Sequence, residues 1–119
     1  MKIQFEKSGF SGGTRFVFRA QVDTEAGQLI YGAKNLQKKL SQNEAKALEN
    51  LVKKTRFFSL PARLGTARGR EAETFSITLE TDGKSHTVSG QVDQSEDIPQ
   101  EIRPLYDRLL ALSRGQVKD

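Results

Sequence analysis

Few side chains in this sequence could do chemistry. His86 is the only histidine, and there is no cysteine among the 119 residues. A histidine base needs an orienting acid and a nucleophile or metal beside it, and "KSHTV" supplies neither. Without cysteine there is no thiol nucleophile, no thiolate metal site and no disulfide framework. No histidines or cysteines stand at metal-ligand spacing. The acids Glu96 and Asp97 precede an apolar-periodic run, where they read as helix capping rather than as an acid–base pair. "SGGTR" (11–15) is glycine-rich like a phosphate loop, but it lacks the lysine step and enters a strand, so it reads as a hairpin loop. The sequence therefore assigns no catalytic residue, no metal ligand and no cofactor, and the chain reads as a non-enzyme.

Charge offers a second kind of chemistry. The stretch 53–70 holds six cations and no acid, whereas 93–101 holds four acids and no cation. Within the first lies "TRFFSLPARL" (55–64), two phenylalanines flanked by arginines. Basic residues interleaved with aromatics are one way to hold nucleic acid, and a small basic module using 53–70 is the alternative reading. Against it, the net charge is only +4. The strands also lack an aromatic ribonucleoprotein signature, so no nucleic acid is expected as a partner.

The elements that position these residues follow from periodicity. Residues 2–7 alternate, with Ile3 and Phe5 on one side. In 15–22, Phe16, Phe18, Ala20 and Val22 point in, and Arg15, Val17, Arg19 and Gln21 point out. The two strands form a hairpin whose loop, 8–14, is longer than two residues and holds Phe10. Residues 23–35 read as either a short strand or an ordered loop. Ser41 and Glu44 open a helix as a capping box, with Ala45, Leu48, Leu51, Val52 and Thr55 as its inner stripe. Pro61 ends that run. Helical spacing carries the stripe on to Phe58, so Phe57 and Phe58 both read as core anchors where the helix turns back. Residues 62–73 form a polar loop. Residues 74–80 and 84–92 are strands joined by Asp82-Gly83, a strong hairpin signal. Ile98, Ile102, Leu105, Leu109 and Leu112 mark a last helix, with Asp97 as its N-cap and its regular part running from about Arg103, because Pro104 removes a donor.

The expected fold is a single α+β domain over 1–119, with a flexible tail from about 114. Two hairpins make a four-stranded antiparallel sheet, and two amphipathic helices cover one face in the order ββαββα. The N-terminal stretch is charged and lacks the apolar core of a signal peptide, and no apolar run is long enough to span a bilayer. The expectation is a cytoplasmic monomer that meets no membrane. A rigid frame that presents loops suits a binding module. The loops with apolar side chains among glycines supply the expected partner-binding residues: Phe10, Ser11, Gly12, Gly13, Leu29, Ile30 and Tyr31.

Several segments together resemble the emfourin family of small bacterial protein inhibitors. They are the opening "MKIQFEKSGF" and its glycine turn, the helix ending in "FFSLP", the "SHTV" strand after Asp-Gly, and the closing "IPQEIRPLYDRL". The resemblance implies competitive inhibition of thermolysin-like zinc metallopeptidases, protealysin among them. The inhibitor would fill the cleft with a protruding loop and a large apolar side chain rather than by strong zinc chelation. In this sequence Phe10 precedes Gly12-Gly13, whereas the family's usual run is Ser-Gly-Gly-Phe.

Overall fold

A computed structural model describes residues 1–63, 73–92 and 98–117. Its elements are β1 (Lys2–Ser11), β2 (Thr14–Asp23), β3 (Gln28–Tyr31), β4 (Leu36–Lys39), α1 (Gln42–Thr55), β5 (Glu73–Thr81), β6 (Lys84–Val92) and α2 (Arg103–Ser113), with a 3-10 turn at Phe57–Ser59 after α1. All neighbouring strands are antiparallel, in one six-stranded sheet of order β4-β3-β2-β1-β5-β6. The α+β class stands, but the four-stranded ββαββα arrangement does not. The extra strands come from 23–39, where Gly27 and Gly32 take positive φ and fold a short hairpin onto β2. Every residue of β4 is exposed, so its sequence carries no alternation to read.

Register decides which side chains meet the core. Ile3 stands opposite Val22 and Leu79, and Phe5 opposite Ala20 and Ile77, so these residues share one face. That face is buried together with Leu48, Val52, Ile102, Leu105, Tyr106, Leu109 and Leu112. The alternation extends to Lys7, which sits on the same side and is buried. Its Nζ lies 3.1 Å from Glu73 Oε2 and 5.8 Å from the Tyr106 ring centroid. A charged group taken from water needs such a partner. The opposite face is polar and open, carrying Lys2, Gln4, Glu6, Arg19 and Gln21, all exposed.

α1 starts at the expected place. Ser41 is its N-cap, and its hydroxyl accepts from Glu44 N–H at 3.0 Å. Glu44 is itself buried and takes the Arg108 guanidinium, with Nε donating at 2.7 Å, so a charge pair clamps α1 to α2. The same guanidinium donates to Gln116 O at 2.8 Å. The helix ends at Arg56, which takes the left-handed conformation (φ 52). α2 begins at Arg103 as expected, with Pro104 in the first turn, where a missing N–H costs nothing. Its end is fastened. Gly115 N–H donates to Leu112 O and Gln116 N–H to Ala111 O, the paired bonds of a Schellman cap with Gly115 at φ 77. Lys38 Nζ donates to Gly115 O at 2.8 Å, and Val117 packs against the core.

Candidate partner-binding arm

The hairpin of β1 and β2 outruns the rest of the sheet. β1 pairs with β2 as far as Ser11↔Thr14, but with β5 only over residues 2–8. β2 pairs with β3 only over residues 20–23. Residues 9–16 are thus a two-stranded arm with no strand on either side among the described residues. The expected loop of more than two residues is not there. Strand pairing continues to Ser11 and Thr14, leaving Gly12 and Gly13 as the turn, with φ 57 and 82. Positive φ at both central positions is what a primed two-residue turn requires, and glycine supplies it without strain. Nothing lies within 4 Å of where a Cβ would stand on either glycine, so the tip projects into open space.

Aromatic packing stiffens the arm from the core side. Gly9 faces Phe16 across the strands, and a Cβ on Gly9 would stand 2.8 Å from the Phe16 ring. The ring therefore lies across bare backbone. The Phe16 and Phe18 rings meet at a tilt, 5.6 Å between centroids, and the Arg114 guanidinium sits 5.2 Å from the Phe18 centroid. Phe10 is on the opposite, open side beside Arg15 and is 54% exposed, ahead of Leu36 at 51% and Phe58 at 42% among the exposed large hydrophobics. It belongs to β1 rather than to a loop.

The seven expected residues separate. Phe10, Ser11, Gly12 and Gly13 come together at the arm. Leu29, Ile30 and Tyr31 are strand β3, away from the tip. Leu29 is fully buried, Ile30 is half-buried on the open face, and Tyr31 packs under the cap of α2. Of the 62–73 loop, only Ala62, Arg63 and Glu73 are among the described residues.

The "TRFF" stretch resolves asymmetrically. Phe57 is buried, while Phe58 is exposed. The left-handed turn at Arg56 breaks the helical phase, so the first phenylalanine points in rather than the second. Phe58 therefore does not anchor the core as helical spacing suggested. His86 packs edge-on to Phe57 at 5.7 Å, and its Nε2 hydrogen-bonds to Leu60 O at 2.8 Å, a structural setting. Lys53, Lys54, Arg56 and Arg63 are exposed near by.

Among the described residues no group of three or more His, Cys, Asp or Glu side chains could hold a metal ion, and no helix is long and apolar enough to cross a membrane. A two-stranded arm thus projects from a sheet-and-helix frame. The chain belongs to the emfourin family: the Emfourin family model matches residues 37–110, more than half of its length. No curated protein and no solved structure matches it. The match takes in α1, β5, β6 and most of β4 and α2, and leaves β1, β2 and β3 outside. Membership points to a protease-inhibitor role, with a protease as partner and binding rather than turnover as the activity.

Proposed function

We propose that this protein inhibits thermolysin-like zinc metallopeptidases of the protealysin type by inserting the β1–β2 arm into the active-site cleft, in the bacterial cytoplasm. Phe10 supplies the apolar anchor, and Ser11, Gly12 and Gly13 form a narrow tip that any side chain on the glycines would widen. The observation that supports this choice of site is the projection of a tight two-glycine turn beside the exposed Phe10. The arm is already stiffened before it meets a partner, so little ordering entropy opposes association. Blockage is steric, and no residue of the inhibitor takes part in chemistry.

The test is titration of a thermolysin-like peptidase with the purified protein, following cleavage of a short quenched peptide. Activity should fall to zero near equimolar inhibitor, and the inhibitor should be recovered uncut. Phe10→Ala should weaken inhibition by roughly 30-fold or more, the effect of losing about 2 kcal/mol at an interface anchor. Unchanged inhibition by a folded Phe10→Ala variant would remove the arm from the interface.

A further inference from the structure

Among the described residues the sheet has four stretches of strand edge, and they differ. β4, at one side, is only four residues long and carries the exposed Lys38 and Lys39. β6, at the other side, meets the segment after the 3-10 turn, where Ser89 N–H donates to Ala62 O at 2.9 Å. Short length, lysines and a covering segment are ways of closing an edge to other chains. The other two lie on the arm: residues 9–11 of β1 beyond the end of β5, and the longer outer side of β2 where β3 stops, residues 14–18. The β2 stretch carries Arg15, but no segment among the described residues covers its backbone.

Its backbone groups can be assigned from the ladder. In an antiparallel pair, alternate residues turn their N–H and C=O toward one neighbour and then the other. Arg19 O accepts from Gly32 N–H at 3.0 Å, so Arg19 points its backbone outward, away from β1. Two and four residues earlier, Val17 and Arg15 do the same. No described strand pairs with either on that side. Two donors and two acceptors stand ready in line, directly continuous with the arm's tip.

We propose that residues 14–18 of β2 receive an extended, carboxylate-bearing strand of the inhibited peptidase, which adds to the sheet beside the end of β3. This deepens the inhibitor reading and rests on it. Main-chain bonds would give affinity, and the flanking side chains would select the partner. Those flanks are cationic. Arg15 and Arg19 are exposed on the open face, and Arg114 is exposed at Phe18 on the other. Arg19 has only a loose pairing with Glu6 at 3.8 Å. The same charges oppose a second copy of this chain, because antiparallel self-pairing would bring each copy's arginines together.

The experiment is inhibition by Val17→Pro beside Val17→Thr. The Val17 N–H points away from β1, and proline is tolerated on a strand whose N–H side is open. Val17→Pro should unfold near the wild-type temperature yet inhibit at least tenfold more weakly, whereas Val17→Thr, which keeps the donor, should inhibit like wild type. Hydrogen exchange on the wild-type protein provides a second reading that needs no variant. The Arg15 and Val17 amides should exchange rapidly in the free chain and slowly in the complex. A folded Val17→Pro variant of full potency, or amides equally fast in the complex, overturns the proposal. So does a dimeric free chain with both amides already protected, which would assign the edge to a second copy. If the wild type inhibits no thermolysin-like peptidase, the inhibitor reading falls and takes this proposal with it. Inhibition that persists in Val17→Pro removes only the strand addition.

Discussion

Replacing Gly115 with alanine tests how the C-terminal end is fastened. Two penalties add. At φ 77 an L-residue stands in the left-handed region, at a cost of about 1–2 kcal/mol. The new methyl would also lie 2.7 Å from Cε2 and Cζ of Tyr31, where two carbon atoms cannot approach without displacing the ring. Overpacking of this kind costs about 1–3 kcal/mol. The expected loss is therefore about 2–5 kcal/mol, or a fall in Tm of roughly 8–20 °C for a domain of this size. Urea unfolding followed by circular dichroism measures it. The two penalties separate in a Tyr31→Leu background, which lacks the clashing ring atoms. There Gly115→Ala should cost only the backbone part, so the double-mutant cycle should show a coupling of about 1–3 kcal/mol. A loss below about 1 kcal/mol, or the same loss in both backgrounds, refutes the account of Gly115 as both cap and clearance for Tyr31.

Two further outcomes follow from local geometry. Phe57→Ala should destabilise by about 3–5 kcal/mol and Phe58→Ala by about 1 kcal/mol or less, measured by the same unfolding curves; equal losses would mean that the left-handed turn at Arg56 does not select between them. The Asp23 carboxylate accepts from Ala26 N–H at 3.0 Å and Glu25 N–H at 3.1 Å. The Ala26 bond is the main reason its pKa lies below the usual 3.8; desolvation opposes it, and the Glu25 bond and nearby positive charges, Lys2 among them, lower it further. A carboxylate whose pKa is lower in the folded state adds stability that is full above pH 4 and is lost as pH falls through the folded value. The stability gap between wild type and Asp23→Asn should therefore narrow between pH 5 and pH 2, and a gap that stays constant over that range would contradict the assignment.

What could be read from the sequence divides along physical lines. Strands β1, β2, β5 and β6 were legible because one side of each faces the core and the alternation records it. Asp82-Gly83 was legible because its positive φ values leave a mark on composition. The same cue existed in Gly12-Gly13, but Ser8, Gly9 and Ser11 beside them suggested a broad loop, where the chain instead keeps pairing to the tip. β4 could not be read, since a fully exposed strand has no inner and outer residues to alternate. Phe58 was misplaced because helical phase was carried past Arg56, and an arginine at positive φ gives none of the warning that glycine or asparagine would. Lys7 follows Ile3 and Phe5 in the alternation, but its burial depends on Glu73, far along the chain, which local spacing does not find. The candidate site was half legible. The glycines and Phe10 declared an exposed tip, whereas Leu29 looks equally free in sequence and is buried only because β3 joins the sheet.

The position of β1 has a consequence for how the molecule is made. β1, made before the other described strands, is an inner strand, and one of its two neighbours, β5, emerges long after the other. β1 to β4 form a local meander that can zip from its turns. Until β5 arrives, however, the edge of β1 opposite β2 stays open, with Ile3 and Phe5 short of the Leu79 and Ile77 they later pack beside. Joining Lys2 to Glu80 closes a loop that contains the whole of α1, and the entropy of that closure is lost before the core returns anything. The nascent N-terminal half is therefore the stretch most open to wrong strand pairing, and the arrival of β5 is the step that commits the chain to its fold.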